Sequence, residues 1–160
     1  MSWRTRIIDD LIPFFDADPR LYLLVLDCGF AAIDGLKKKH PDKVFNTGIT
    51  EQATIAIATA MALSGLRPIV YGIASFTVFR AYEMHRMAVI QGAPIKVIGT
   101  GCGDYFSFLG ECHASGETDY IAMETLGYDI YDLAPNLTYA SYQKDIKKFM
   151  ETAKAAYLRV

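Results

Sequence analysis

Glu51 raises the first chemical question, because Gly48-Ile49-Thr50-Glu51-Gln52 sets a carboxylate at the mouth of a helix, directly after a strand and a glycine turn. A first-turn acid commonly does no more than complement the helix dipole. The helix behind it is alanine-rich from Ala53 to Leu63, so another layer or subunit can approach closely. A carboxylate buried by that approach can exchange a proton with a heterocycle near neutral pH. Dipole partner and proton-exchanging group are both compatible with these residues.

Phe76, Phe79 and Tyr82 follow at intervals of three at the start of a second helical segment, with Arg86 one turn further on. Residues at i and i+3 share a helix face while i+6 drifts round it, so the stripe reads either as core packing or as a stacking wall for a flat ring. His113 sits in a glycine-rich stretch with Ser115, Glu117 and Asp119 close by. No second histidine lies at metal-ligand spacing, which argues against a zinc site. Cys112 precedes His113, but neighbours in an extended chain point to opposite faces, so no thiol–imidazole pair is expected. The chain contains no G-x-G-x-x-G, Walker loop or G-x-S-x-G, which removes the common dinucleotide, phosphate-loop and hydrolase readings.

The elements that must position these residues alternate short apolar β-rich runs with helically periodic segments, the pattern of a parallel sheet covered by helices. Ser2 can cap a first helix that Pro13 ends or kinks; Leu21 to Leu26 reads as a strand, Ala31 to Lys39 as a helix and Lys43 to Asn46 as a second strand. Thr50 is placed to cap the helix of Glu51, which Gly65 terminates. A strand over Pro68 to Ile73 leads to a helix from Phe76 to about Gln91 with Ser75 as its cap, then a strand over Ile95 to Gly99. Gly101 to Thr118 has neither period and is expected to be an ordered site loop. Helix over Asp119 to Leu126, strand over Asp129 to Leu133, helix over Ser141 to Ala156 and strand over Tyr157 to Val160 complete the series.

With 160 residues and 52% apolar content, the chain is expected to form one domain over residues 1–160. Sixteen basic residues against 18 acids give a net charge of −2, which leaves no basic footprint for nucleic acid. The Lys37-Lys38-Lys39-His40 run reads as a solvated helix end. Cys28, Cys102 and Cys112 form no C-x-x-C pair and leave one thiol over in any disulfide scheme, so a reducing, cytoplasmic setting is expected. Neither a secretory leader nor a membrane span is expected from the N-terminal segment or the apolar runs.

Lys43-Val-Phe-Asn-Thr-Gly-Ile-Thr-Glu-Gln52, continued by Ile55-Ala-Ile-Ala-Thr-Ala-Met-Ala-Leu-Ser-Gly-Leu-Arg-Pro-Ile-Val-Tyr71, resembles the pyrimidine-binding domain shared by transketolases, deoxyxylulose-phosphate synthases and pyruvate-dehydrogenase-type β subunits. Ser75-Phe76-x-x-Phe79-x-x-Tyr82 is similar to the aromatic cluster that cradles the aminopyrimidine of thiamine diphosphate, and Leu109-Gly110-x-x-His113 to the loop carrying a substrate-contacting histidine. The likeness runs from about Leu21 to Val160. It implies the thiamine-diphosphate-binding fold, a three-layer α/β domain. It further implies that Glu51 hydrogen-bonds N1′ of the aminopyrimidine and favours its imino tautomer, that Phe79 stacks on the ring with support from Phe76 and Tyr82, and that Asp27 lies near the cofactor. His113 would contact the substrate.

The family's diphosphate and Mg2+ are held by a separate domain with a Gly-Asp-Gly signature that this sequence lacks, so a partner subunit is implied and no metal ligand is expected here. The transketolase third domain is also missing, as in a truncated or naturally minimal protein. Self-association of pyrimidine domains is a further family trait. The Trp-Arg-Pro segment of transketolases is matched by Leu133-Ala134-Pro135, closer to the dehydrogenase and synthase pattern, and the Cys112 to Asp119 loop is slightly longer than in transketolases. The resemblance therefore implies transfer of a ketol or acyl unit from a ketose or 2-oxo acid. The alternatives are a 2-oxo acid decarboxylase or dehydrogenase component and a non-catalytic interaction domain.

Overall fold

The structure is a computed structural model that describes residues 3–133 and 139–160. Its frame is six parallel strands, β1 (Leu21–Val25), β2 (Val44–Asn46), β3 (Arg67–Ile73), β4 (Lys96–Thr100), β5 (Asp129–Asp132) and β6 (Ala156–Arg159), in the order β2-β1-β3-β4-β6-β5. Every neighbouring pair runs parallel, which requires a crossover between consecutive strands and covers both sheet faces. The three-layer α/β class expected from the alternation of apolar periods is the one observed.

Alternate residues of the strands feed two separate cores. Leu21, Leu23 and Val25 of β1, with Ile69 and Tyr71 of β3, pack under α1 (Trp3–Asp10), α2 (Ile12–Ala17), α3 (Asp34–Lys39) and α8 (Tyr139–Glu151), through Ile8, Phe15, Leu36 and Phe149. Leu24, Leu26 and Val70 turn the other way. They meet Ile55 and Ala58 of α4 (Glu51–Leu63), Val78 of α5 (Ala74–Phe79), Ala88 of α6 (Tyr82–Ile90) and Met123 of α7 (Thr118–Leu126). The period-two exchange of partners is why β1 and the middle of β3 are apolar on both faces rather than alternating.

Several expected boundaries shift for local reasons. Pro13 interrupts the first helix as expected, yet it also opens α2, where its missing N–H is no loss. The expected helix over Ala31 to Lys39 begins only at Asp34, because Ala31 holds a left-handed backbone with φ of 66°. The expected helix over Phe76 to Gln91 is two helices: Arg80 closes α5 and Ala81, with φ of −113°, precedes α6. Ser75 lies inside α5 instead of capping it, and Thr50 stands at the cap position of α4 while its hydroxyl donates to the Thr47 carbonyl at 2.8 Å. Ser2, Ala134 and Pro135 lie outside the described residues, so the expected first cap and the Leu133-Ala134-Pro135 comparison do too.

Among the described residues, no helix is long and apolar enough to cross a membrane.

The break between α5 and α6 is locked from beneath by His85, which is fully buried. Its Nε2 lies 3.0 Å from the Thr77 carbonyl and its Nδ1 2.8 Å from the Tyr128 hydroxyl. A carbonyl only accepts, so Nε2 carries the proton and Nδ1 accepts from Tyr128, the neutral imidazole. Burial pushes the His85 pKa down from its ordinary 6.5 to about 4. Between those values the unfolded chain takes up a proton that the native chain refuses, so native stability is complete above pH 6.5 and falls as pH drops toward 4. The expected loss through this group is about 3 kcal/mol. Urea unfolding across that range should show it, and His85→Gln should flatten the slope; an unchanged slope would exclude His85 as its source.

Candidate active site

In a parallel sheet the carboxyl ends of two strands part where the strand order reverses, and ligands sit in that crevice. Here the chain lays β2 on one side of β1 and then β3 on the other, so the crevice opens above β1 and β3. Leu26 and Asp27 leave β1 at its floor. Asp27 holds φ of 45°, a left-handed conformation that aspartate tolerates better than most residues. Asn46 at the end of β2 clamps it from both sides, accepting from the Asp27 backbone N–H at 3.2 Å and donating to its carboxylate at 3.1 Å. The same Asn46 oxygen accepts from the Gly48 N–H at 2.9 Å and so shapes the turn into α4.

That turn delivers Glu51 into the crevice with its side chain 8% exposed. A carboxylate so far from water needs a partner, and Arg80 supplies it, with Nη1 2.8 Å from Glu51 Oε1. The guanidinium carbon stands 3.9 Å from the centroid of the Phe76 ring, so Arg80 lies over Phe76 while it holds Glu51. Phe76 comes this near because α5 follows β3 with no slack: a Cβ on Gly72 would collide with Thr77 Oγ1 and stand 2.7 Å from Leu26 Cδ1.

The far wall is the glycine-rich loop. Its ends are joined by a bridge between Gly103 and Gly116, and it carries two 3₁₀ turns, Ser107–Leu109 and Glu111–His113. Gly110, with φ of 114° and ψ of 154°, joins these turns in a region essentially closed to other residues. Ser75 Oγ donates to the Cys112 carbonyl at 2.7 Å and ties the loop to α5. At its root the buried Asp119 accepts from Ser115 Oγ at 3.0 Å, from the Tyr157 hydroxyl at 2.8 Å and from Arg159 Nε at 3.1 Å. The loop therefore has fixed anchors at both sides of His113, whose ring meets Phe76 edge-on with centroids 4.7 Å apart.

These pieces enclose a cavity of about 360 Å³ lined by Glu51, Phe76, Arg80, Cys112 and His113, with Asp27 and Leu26 at its base. Of the residues singled out in the sequence, Glu51, Phe76, His113 and Asp27 meet here. Phe79 and Tyr82 do not line the cavity: Phe79 is 44% exposed at the end of α5, and Tyr82 is half-buried at the start of α6. Sequence reasoning does not single out Arg80 or Asn46, and it finds in Ser75 a helix cap and the first position of the aromatic motif, not a tie to the histidine loop. Arg80 is hidden inside what reads as a continuous helix, whereas the Asn46-Thr47-Gly48 run does carry a turn signal.

The Cys112–His113 expectation also changes: inside a 3₁₀ turn the neighbours are not opposed, and Cys112 Sγ lies 3.3 Å from His113 Nδ1. Among the described residues no group of three or more His, Cys, Asp or Glu gathers to hold a metal ion.

Comparison with known proteins gives this geometry a family. The family described as "Transketolase, pyrimidine binding domain" matches residues 1–122. The chain is 35% identical over 92 residues to a 1-deoxy-D-xylulose-5-phosphate synthase of Clavibacter sepedonicus, a match covering 56% of this chain and 14% of that protein. It is 32% identical over 76 residues, 48% of this chain and 24% of the relative, to an uncharacterized 33.6 kDa protein in the fasciation locus of Rhodococcoides fascians. The chain thus spans a quarter or less of the length of these curated relatives. A solved structure titled "Split gene transketolase, inactive beta4 tetramer" superposes with a TM-score of 0.77 at 23% identity, over 98% of this chain and 48% of that one, a likeness of fold.

The three thiols differ in a way alkylation can read. Burial pushes Cys102 up to about 12, and its Sγ donates to the Gly99 carbonyl at 3.1 Å. Cys28 is half-buried, while Cys112 is exposed against the imidazole of His113. Iodoacetamide at pH 8 should modify Cys112 first, at least about tenfold faster than the other two. Peptide mass spectrometry over time checks this, and equal rates at all three sites would refute the arrangement.

Proposed function

Because the chain belongs to the transketolase pyrimidine-binding-domain family, we propose that it is the pyrimidine-binding half of a thiamine-diphosphate-dependent, transketolase-like enzyme, active with a partner carrying the diphosphate-binding half. The observation that carries this reading is the meeting of buried Glu51, the Phe76 ring and His113 in one cavity at the switch point of the sheet. The residues fit one end of the cofactor. A flat heterocycle finds an aromatic face and a carboxylate shielded from water, in a cavity within the usual range for small ligands. The cavity's guanidinium is engaged with Glu51, and this reading assigns the diphosphate and Mg2+ to the partner.

When bound, thiamine diphosphate supplies the carbanion chemistry, and the protein supplies orientation and electrostatics. In this reading Glu51 holds a proton at N1′ of the pyrimidine. Phe76 presents its face to the ring in place of Phe79, which stands with Tyr82 outside the cavity. His113, held by Ser75 through the Cys112 carbonyl, meets the substrate. Asp27, fixed by Asn46, closes the base near the cofactor. The substrate class is a ketose or a 2-oxo acid, from which a ketol or acyl unit is transferred.

The structural relative, a split-gene transketolase in the form of an inactive β4 tetramer, supports dependence on a second subunit. Self-association has a candidate surface in α4, whose exposed Ala53, Ala56, Ile57, Ala60 and Leu63 carry no charge.

Titration calorimetry of thiamine diphosphate with Mg2+ into the chain alone, and into the chain with a diphosphate-domain partner from the same genome, tests the half-site. Binding is expected in the mixture. Glu51→Gln should then lower turnover of the reconstituted complex by about 100-fold or more, the scale of positioned acid–base groups. Absence of binding by an assembled complex would leave a non-catalytic interaction domain, and unimpaired turnover in Glu51→Gln would remove Glu51 from the chemistry.

A further inference from the structure

Arg80 does two things at once in this cavity: it donates to Glu51 Oε1 at 2.8 Å, and its guanidinium carbon lies 3.9 Å above the centroid of Phe76. A guanidinium is planar, carries N–H donors at its edge and stacks on aromatic faces. Those are the features by which an aminopyrimidine would be recognised here, a flat ring on an aromatic face with a nitrogen at the carboxylate. The two cannot share one face of Phe76 and one carboxylate oxygen.

From this overlap we infer that Arg80 is a built-in surrogate for the cofactor's pyrimidine ring, occupying the carboxylate and the aromatic face until the ring enters and displaces it. The inference rests on the proposed function, whose site it regulates. Arg80 is a gating residue and takes no part in the reaction.

Three features make the exchange practicable. The Arg80 side chain is 47% exposed, so its charge can return to water without crossing the core. Arg80 stands at the break between α5 and α6, and its departure disturbs no helix interior. Without Arg80 or a ring, Glu51 would be a carboxylate 8% exposed with no partner, a costly state that the surrogate removes. An ion pair whose cation is half-exposed and a cation–π interaction are each weak enough for a ligand that replaces both to displace.

The decisive probe is the isolated heterocycle, 4-amino-5-hydroxymethyl-2-methylpyrimidine, which carries no phosphate that Arg80 could attract. Its affinity for the full chain is measured by calorimetry or ligand-observed NMR for wild type, Arg80→Ala and Arg80→Lys. Removing the competitor should tighten binding by about tenfold in Arg80→Ala, the combined scale of the ion pair and the cation–π interaction that the ring must otherwise displace. Arg80→Lys keeps the charge but loses the flat face and should fall between the two. Circular dichroism confirms that both variants are folded.

Equal or weaker binding by Arg80→Ala would overturn the gate while leaving the proposed function standing. Failure of the ring and of thiamine diphosphate to bind any of the three, with the partner domain assembled, would overturn the proposed function and the gate with it.

Discussion

Crossovers between parallel strands are right-handed, and this one rule settles where chemistry can happen in the chain. Going from β1 to β2 and then past β1 to β3 places α3 and α4 on opposite faces of the sheet. The loops above β1 and β3 are thereby pulled apart, and the space between them is the cavity. Glu51 lies in it because α4 must begin where β2 ends, and Phe76 because Gly72 lets α5 start hard against β3. The functional side chains are consequences of connection geometry before they are matters of chemistry.

The same geometry creates a problem that the fold must answer. A helix starting over the sheet carries its first-turn carboxylate into a water-poor crevice, where an unpartnered charge is expensive. Arg80 answers it electrostatically, and the break between α5 and α6 permits the answer by freeing Arg80 from a continuous helix. Below the break, His85 pairs with the Thr77 carbonyl and Tyr128, satisfying buried polar groups beneath an interruption in helical structure. On the other wall Asp119 does similar work for the histidine loop, gathering Ser115, Tyr157 and Arg159 into one buried cluster. Three polar clusters thus surround the site: one neutralises a buried carboxylate, one lies beneath the helix break and one roots the histidine loop.

That framing explains what the sequence discloses and what it conceals. The strands and α4 are legible because apolar period and the small residues of Ala53 to Leu63 decide them locally. Glu51, Phe76, His113 and Asp27 are legible as candidates because each sits next to a strand end or glycine turn, and the family likeness carries them further. The helix break at Arg80 is hidden: no proline or glycine marks it, and it exists through tertiary bonds between residues far apart in sequence, above all His85 with Tyr128. Ser75 has the position of a cap, before an aromatic-rich helix, yet its hydroxyl bonds a loop 37 residues away. Spacing groups Phe79 and Tyr82 with Phe76 only if one continuous helix carries all three; the break sends them elsewhere. The Cys112–His113 pairing depends on a 3₁₀ turn that glycine content alone does not specify.

An exposed apolar surface lies beside this enclosed carboxylate. The outer face of α4 presents Ala53, Ala56, Ile57, Ala60 and Leu63 to solvent without a charge among them, starting two residues beyond Glu51. Small uncharged residues lower the cost of close approach by another helix and raise the cost of leaving the face wet. Glu51 lies on the other side of the helix, the buried face it shares with Thr54, Ile55 and Ala58. In the proposed assembly a partner on the outer face would therefore cover apolar surface without touching the crevice. Docking through α4 and the Arg80–Glu51 pair are separable devices, and the buried carboxylate is answered within the chain itself.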